Sequence, residues 1–204
     1  MKKSLWKKIL KLKPHLRPEV FALLSKYRAR SLYALGLKNT TNEELGREST
    51  EAYFVFLKLA LAYSALELLN QATGKSRGVK IRSVPLSYAL AKGKFLALTN
   101  QIREATPPRS KAKVEKYLEL VCSWSGSMEQ PDLYEFVGLC RHLMFHGAFS
   151  PSGSRLTNSR VRQDLLLGLA HDSLLAGDRF LERWADARWQ EVSRVRHASD
   201  KRGF

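Results

Sequence analysis

The sequence predicts an all-α fold, and three observations support this prediction. First, apolar residues recur at helical spacing in several long stretches. Second, these stretches are separated by glycine, proline or short polar segments. Third, no pair of stretches shows the alternation of apolar and polar residues that is typical of paired strands. No internal repeat is present. We therefore expect an up-and-down helical bundle with extra helices appended to it. A length of 204 residues fits one domain, and nothing in the sequence requires a second.

The central element of the predicted bundle is a helix over residues 44–71. It carries the longest uninterrupted helical signal in the chain and is apolar around most of its circumference, which is typical of a helix packed on several sides. Lys58 and Glu67 within it argue against a membrane span. Before it, a helix is expected over residues 19–35, where Gly36 provides a stop.

Shorter helices and one long terminal element complete the predicted order. After a link rich in glycine, proline and basic residues, the shorter helices are expected over residues 94–104, 111–122 and 132–146. The terminal element is expected over residues 160–192, as one helix or a helix pair with a bend near Gly177.

The predicted domain, residues 19–192, is flanked by an amino-terminal arm at residues 1–18 and a basic tail at residues 193–204. In the arm, lysines alternate with leucine, isoleucine and tryptophan in the pattern of a basic amphipathic helix. Such a helix has three alternative roles: it lies on anionic lipid, contacts nucleic acid, or packs on the domain by its apolar stripe. Its apolar run is too interrupted for a secretory signal.

The composition favours a polyanionic partner. A net charge of +16 and a pI near 10.1 produce a positive field that attracts RNA, DNA or an anionic membrane surface. The basic run over residues 75–94 is either a track for a phosphate backbone or a solvated loop. Cys122 and Cys140 form no CxxC cluster, so we expect neither a disulfide framework nor a zinc ribbon, and we expect a cytoplasmic location.

The most informative motif is the segment Arg-His-Leu-Met-Phe-His-Gly at residues 141–147. Arginine is always charged and can donate two parallel hydrogen bonds to phosphate oxygens. Histidine can both accept and donate a proton near neutral pH. Arg141 and His146 together are therefore suited to phosphodiester chemistry. Apolar residues at helical spacing just upstream predict that the motif lies on a buried helix, which Gly147 ends.

This motif resembles the signature of the HEPN superfamily of helical ribonucleases and nucleotide-binding domains. In that signature a histidine follows an arginine by about four to six residues, often with a polar residue after the arginine and glycine after the histidine. Here His142 follows Arg141, and Gly147 follows His146. Residues 62–69, Ala-Tyr-Ser-Ala-Leu-Glu-Leu-Leu, are similar to the long second helix of many HEPN domains. The resemblance implies a helical bundle of the HEPN type.

The resemblance also implies a reaction. It is a metal-independent endonucleolytic cleavage of RNA, in which the ribose 2′-hydroxyl attacks the adjacent phosphorus and leaves a 2′,3′-cyclic phosphate. His146 would be the general base, Arg141 would hold the scissile phosphate, and His142 would assist as an acid or a phosphate contact. No cofactor is implied. Such domains frequently act as toxins or in defence and stress, which implies an antitoxin protein as a partner, and their site commonly forms between the subunits of a homodimer.

Two residues of the candidate site raise questions of geometry. Arg141 and His146 are five residues apart, about 140° around an ideal helix, so they do not simply point together. The long arginine side chain, a frayed helix end or a second subunit would each bring them together. Glu67 interrupts an apolar stripe on the central helix, and a buried carboxylate needs a partner or a proton. Glu67 either orients Arg141 or tunes the protonation of the site, or it pairs with another basic residue.

Other sites and other functions stay open at this point. His142 and His146 are four residues apart and would share a helix face, as in helical zinc sites, although further ligands are lacking. The chain is alternatively a non-catalytic HEPN-like module that binds RNA or nucleotide. A third alternative is an interaction protein whose basic surface serves an acidic partner or a membrane.

Overall fold

The structure is a computed structural model that describes three long stretches of the chain, residues 1–38, 47–74 and 160–200. It also describes short pieces between them, at residues 100, 103–104, 108, 111–112, 114–116, 137–138 and 141. Of the described residues 93% are helical and none is in a strand, which confirms the all-α prediction. The predicted helices over 94–104, 111–122 and 132–146 lie largely outside the described residues.

The first helix, α1 at Lys3–Leu12, packs against the last described helix, α4 at Arg160–Asp200. Its apolar side chains Leu5, Ile9 and Leu12 are buried, because their spacing of three and four residues puts them on one helix face. Packing on the domain is one of the three roles predicted for the arm. The arm therefore belongs to the hydrophobic core cluster, and the predicted boundary after residue 18 divides helices that share this core.

The second helix, α2 at Pro18–Gly36, confirms the helix predicted over residues 19–35. Its first residue is a proline, which suits this position because its backbone lacks an N–H and its φ is already helical. Glu19 in the first turn interacts favourably with the positive end of the helix dipole. The buried side chains of α2 recur at helical spacing and form its inner face: Leu24, Tyr27, Ser31 and Ala34.

The third helix, α3 at Arg47–Ala72, packs against both α2 and α4 and is the central helix of the described fold. Its buried residues lie on several sides, as the sequence predicts: Ala52, Val55, Leu59, Ala62, Ala65, Leu66, Leu68 and Leu69. Within it, Thr50–Ala72 is long and apolar enough to cross a bilayer by length and composition. That is weak evidence for a membrane span, because core helices share these properties.

The helix α4 extends further than the sequence predicts. It runs from Arg160 past residue 192 to Asp200, so residues 193–200 of the basic tail continue the helix. The helix also continues through Gly177, where the sequence suggested a bend or a division into two helices. Its buried residues face the core at helical spacing: Leu166, Ala170, Leu174, Leu181 and Ala185.

A hydrogen bond between Tyr27 of α2 and Asp178 of α4 joins the two helices inside the core. The fully buried Tyr27 hydroxyl donates to Asp178 Oδ1 at 2.8 Å. Burial raises the pKa of the Tyr27 hydroxyl well above its usual value, and the neighbouring carboxylate of Asp178 raises it further. The hydroxyl therefore stays protonated and remains a donor. Asp178 Oδ2 also lies 3.0 Å from the α-amino nitrogen of Met1.

Gly177 is the residue that allows Tyr27 and α3 to approach α4 so closely. A Cβ atom at Gly177 would lie 2.8 Å from Tyr27 Oη and 2.9 Å from Leu66 Cδ2. Real Cβ atoms do not approach other atoms to such distances, so a side chain at this position would require Tyr27 and Leu66 to shift. The absence of a side chain at this close contact explains the glycine.

We expect Gly177→Ala to lower the free energy of unfolding by about 1–3 kcal/mol, because the new methyl group overpacks the core. Gly168→Ala on the same helix is the matched control. A Cβ there meets nothing within 4 Å, so the higher helix propensity of alanine should raise the free energy of unfolding by about 0.5–1 kcal/mol. Urea unfolding of both variants measures the difference. Equal effects of the two substitutions would contradict this account of Gly177.

Candidate functional site

The guanidinium group of Arg141 lies against the ring of Tyr63 on the central helix. Arg141 Cζ is 5.0 Å from the ring centroid of Tyr63, which is within the range of a cation–π interaction. The Arg141 side chain is nevertheless exposed, whereas Tyr63 is half-buried. The five N–H donors of the guanidinium lie in its own plane. An exposed arginine held in this way can present its donors to an anion such as a phosphate.

The backbone before Arg141 packs closely on the same ring. A Cβ atom at Gly138 would lie 2.9 Å from Tyr63 Cε2, so only a glycine allows this approach without a shift of the ring. Val137 beside it is fully buried. Residues 137, 138 and 141 are helical, which agrees with the prediction that the motif lies on a buried helix. Tyr63 therefore supports both the backbone at 138 and the charged group at 141.

Glu67 lies one helical turn beyond Tyr63 on α3 and is half-buried. Residues four apart share a helix face, so Tyr63 and Glu67 face the same side, as the sequence predicts. Among the ion pairs between described side chains, none joins Glu67 to Arg141 or to another basic residue. The structure thus brings Arg141 to Tyr63, and an orienting role of Glu67 toward Arg141 stays a prediction.

The two histidines of the motif, His142 and His146, lie outside the described residues. The zinc alternative that rests on them lies outside as well. In the described part of the chain, no group of three or more histidine, cysteine, aspartate or glutamate side chains is placed to hold a metal ion. His171 is described and is exposed on α4, with Nδ1 3.5 Å from Asp172 Oδ1.

Sequence reasoning missed two residues that support the candidate site, Tyr63 and Gly138. Tyr63 belongs to the segment 62–69 of the central helix, for which no contact with the motif was predicted. The signal in the sequence was the glycine at position 138 within a predicted buried helix, three residues before Arg141. A glycine inside a helix often marks the close approach of another element. The identity of that element, however, depends on the tertiary fold.

The fold and the site together define a class: an all-α, strongly basic protein with an exposed arginine held on the aromatic ring of its central helix. No protein-family model matches the chain, and no curated protein or solved structure matches it.

Proposed function

We propose that this protein is a metal-independent endoribonuclease of the HEPN type, with Arg141 and His146 as its catalytic residues. The observation that carries the proposal is the position of Arg141, exposed and held against Tyr63. The contact with the ring restricts the guanidinium, so less conformational freedom is lost when it binds a phosphate. His146 follows it within the same short motif.

In the proposed reaction, His146 accepts the proton of the ribose 2′-hydroxyl, and the 2′-oxygen attacks the adjacent phosphorus. The bond from phosphorus to the 5′-oxygen of the next nucleotide breaks, and that oxygen takes up a proton from His142 or from water. The products are a 2′,3′-cyclic phosphate and a 5′-hydroxyl. Arg141 stabilises the negative charge that accumulates on the phosphate oxygens in the transition state. No metal ion takes part in these steps.

Glu67, one turn from Tyr63, has a secondary role in the proposal as a group that tunes the protonation of the site. On a regular helix Arg141 and His146 point in different directions. We therefore propose that the protein is a homodimer in which two copies of the motif form one cleft. A toxin neutralised by an antitoxin protein, or a defence or stress enzyme, is the setting that we propose for this activity.

The chemistry of the product ends tests the proposed reaction. We expect the purified protein to cleave a mixed RNA substrate in the presence of EDTA and to leave 2′,3′-cyclic phosphate and 5′-hydroxyl ends. Removal of divalent metal ions should not change the rate, because the proposed steps use only side chains. Cleavage that stops in EDTA or that leaves 3′-hydroxyl ends would contradict the mechanism. Binding of RNA without cleavage would favour the non-catalytic module.

A further inference from the structure

The outer face of α1 carries a row of three exposed lysines, Lys3, Lys7 and Lys11, which we call the lysine face. They are four residues apart, so they follow one side of the helix over about 12 Å. Residues 1–18 contain seven lysine and arginine residues and no aspartate or glutamate. The field at this surface is therefore positive, and α1 itself supplies no carboxylate to compensate it.

Two carboxylates of α4 that contact the amino-terminal arm, Asp178 and Asp186, are paired with groups outside the lysine face. Lys8, at the side of α1, forms an ion pair with Asp186 at 2.5 Å. Asp178 accepts the Tyr27 hydroxyl and contacts the α-amino group of Met1. No ion pair between described side chains involves Lys3, Lys7 or Lys11. Within the described part of the chain, these three charges are therefore not compensated by a carboxylate.

The packing of α1 argues against a lipid surface as that molecule. A basic amphipathic helix binds a bilayer by inserting its apolar face among the acyl chains. In this structure the apolar face of α1, with Leu5, Ile9 and Leu12, is already buried in the core. Leu10, 45% exposed, is the one large apolar side chain of α1 that is clearly exposed. The lysine face thus offers charge without the apolar area that stable membrane binding needs.

Aromatic contacts fix the position of α1 and bring two more cations to its side. The rings of Trp6 and Phe21 stack with centroids 5.8 Å apart, which joins α1 to α2. Arg28 Cζ lies 4.8 Å from the Trp6 ring, and Lys13 Nζ lies 5.1 Å from the Phe21 ring. The lysine face therefore belongs to a helix that packs against both α2 and α4.

We propose that the lysine face of α1 binds the phosphate backbone of RNA and thereby holds the substrate on the protein. Polyanion binding needs closely spaced cations that are not paired with carboxylates, and it gains free energy from the release of counterions. This inference deepens the proposed function by naming where the RNA is held outside the Arg141 motif. It would still apply to a protein that binds RNA without cleaving it.

The test replaces Lys3, Lys7 and Lys11 together with glutamine. Glutamine keeps the length and much of the helix propensity of lysine but removes the charge, so the fold should be retained, as circular dichroism would verify. Binding of a fluorescein-labelled single-stranded RNA is measured at several salt concentrations in a His146→Ala background, which keeps the RNA intact. We expect at least a tenfold loss of affinity at low salt and a slope of log K against log salt that is smaller by about 2.

The matched control removes the same charge from other exposed positions, as Lys26→Gln, Lys38→Gln and Arg194→Gln. It should lower affinity only slightly, through the overall field. Equal effects of the two triple variants would overturn the proposal, as would wild-type protein that binds vesicles rich in phosphatidylserine but not RNA. The proposed reaction is judged separately, by product ends: wild-type protein that binds RNA through α1 but cleaves none refutes only the reaction.

Discussion

Replacement of His146 with alanine is expected to lower the rate of RNA cleavage by about 10²–10⁴-fold, the usual contribution of a general base. In the proposed mechanism His146 removes the proton of the 2′-hydroxyl, and at neutral pH no other group of the motif is assigned to that step. RNA affinity should change little, because the cations that bind the backbone are retained. The measurement is a single-turnover cleavage assay on wild-type and variant proteins at equal, saturating concentration.

The control for this prediction is His171→Ala. His171 is an exposed histidine on α4 whose described contact is with its neighbour Asp172. Its replacement should leave both cleavage and stability near those of the wild type. Full cleavage by the purified His146→Ala protein would refute the mechanism. An equal loss of cleavage in both variants would show that the assay responds to something other than the motif.

Replacement of Arg141 with alanine is the second large effect that we expect, a loss of cleavage of about 10²–10³-fold. The guanidinium stabilises charge that appears on the phosphate oxygens only as the reaction proceeds, so the chemical step should slow more than RNA affinity falls. Arg141→Lys should recover only part of the rate, because an ammonium group keeps the charge but cannot form two parallel hydrogen bonds to one phosphate.

Variants of Tyr63 separate a role of Arg141 in the reaction from a role in stability. Tyr63→Phe keeps the ring under the guanidinium and should cleave nearly as the wild type does, whereas Tyr63→Leu removes the ring. An exposed cation–π contact contributes about 0.5–1 kcal/mol. We therefore expect the cleavage rate of Tyr63→Leu to be lower than that of the wild type by roughly twofold to fivefold. Arg141→Ala could instead lower both the melting temperature and the cleavage rate. If the variant then cleaves at the wild-type rate at a temperature well below its melting temperature, Arg141 has only a structural role.

The position of each helix was predictable where the residues of that helix alone mark its ends or its apolar face. Helix α2 was predicted within one residue at each end, because a proline and a glycine stand at its limits. Helix α3 was predicted as central, because it is apolar on most sides. The end of α4 was not predicted. Residues 193–200 are polar and basic, a composition that fits an exposed helix as well as a tail.

Contacts between distant residues were not predictable from these patterns. The sequence suggested a bend at Gly177, and the structure shows in addition that this glycine lies against Tyr27, whose partner Asp178 is 151 residues further along the chain. Similarly, the sequence left open whether Glu67 contacts Arg141, and the structure places Tyr63, one turn before Glu67, against the guanidinium of Arg141. In both cases the composition of each helix was interpreted correctly, and the missing information was which turn of one helix meets which turn of another.

The contact between α1 and α4 has a consequence for the order of events during synthesis. Lys8 and Asp186, which join the two helices, are separated by 178 residues. At about 5–20 residues per second, the ribosome therefore completes α4 roughly 10–35 s after it has made α1. Throughout that interval Leu5, Ile9 and Leu12 lack the surface that covers them in the folded protein. Until then α1 is a basic amphipathic helix with an uncovered apolar stripe, and this stripe is buried only when α4 docks.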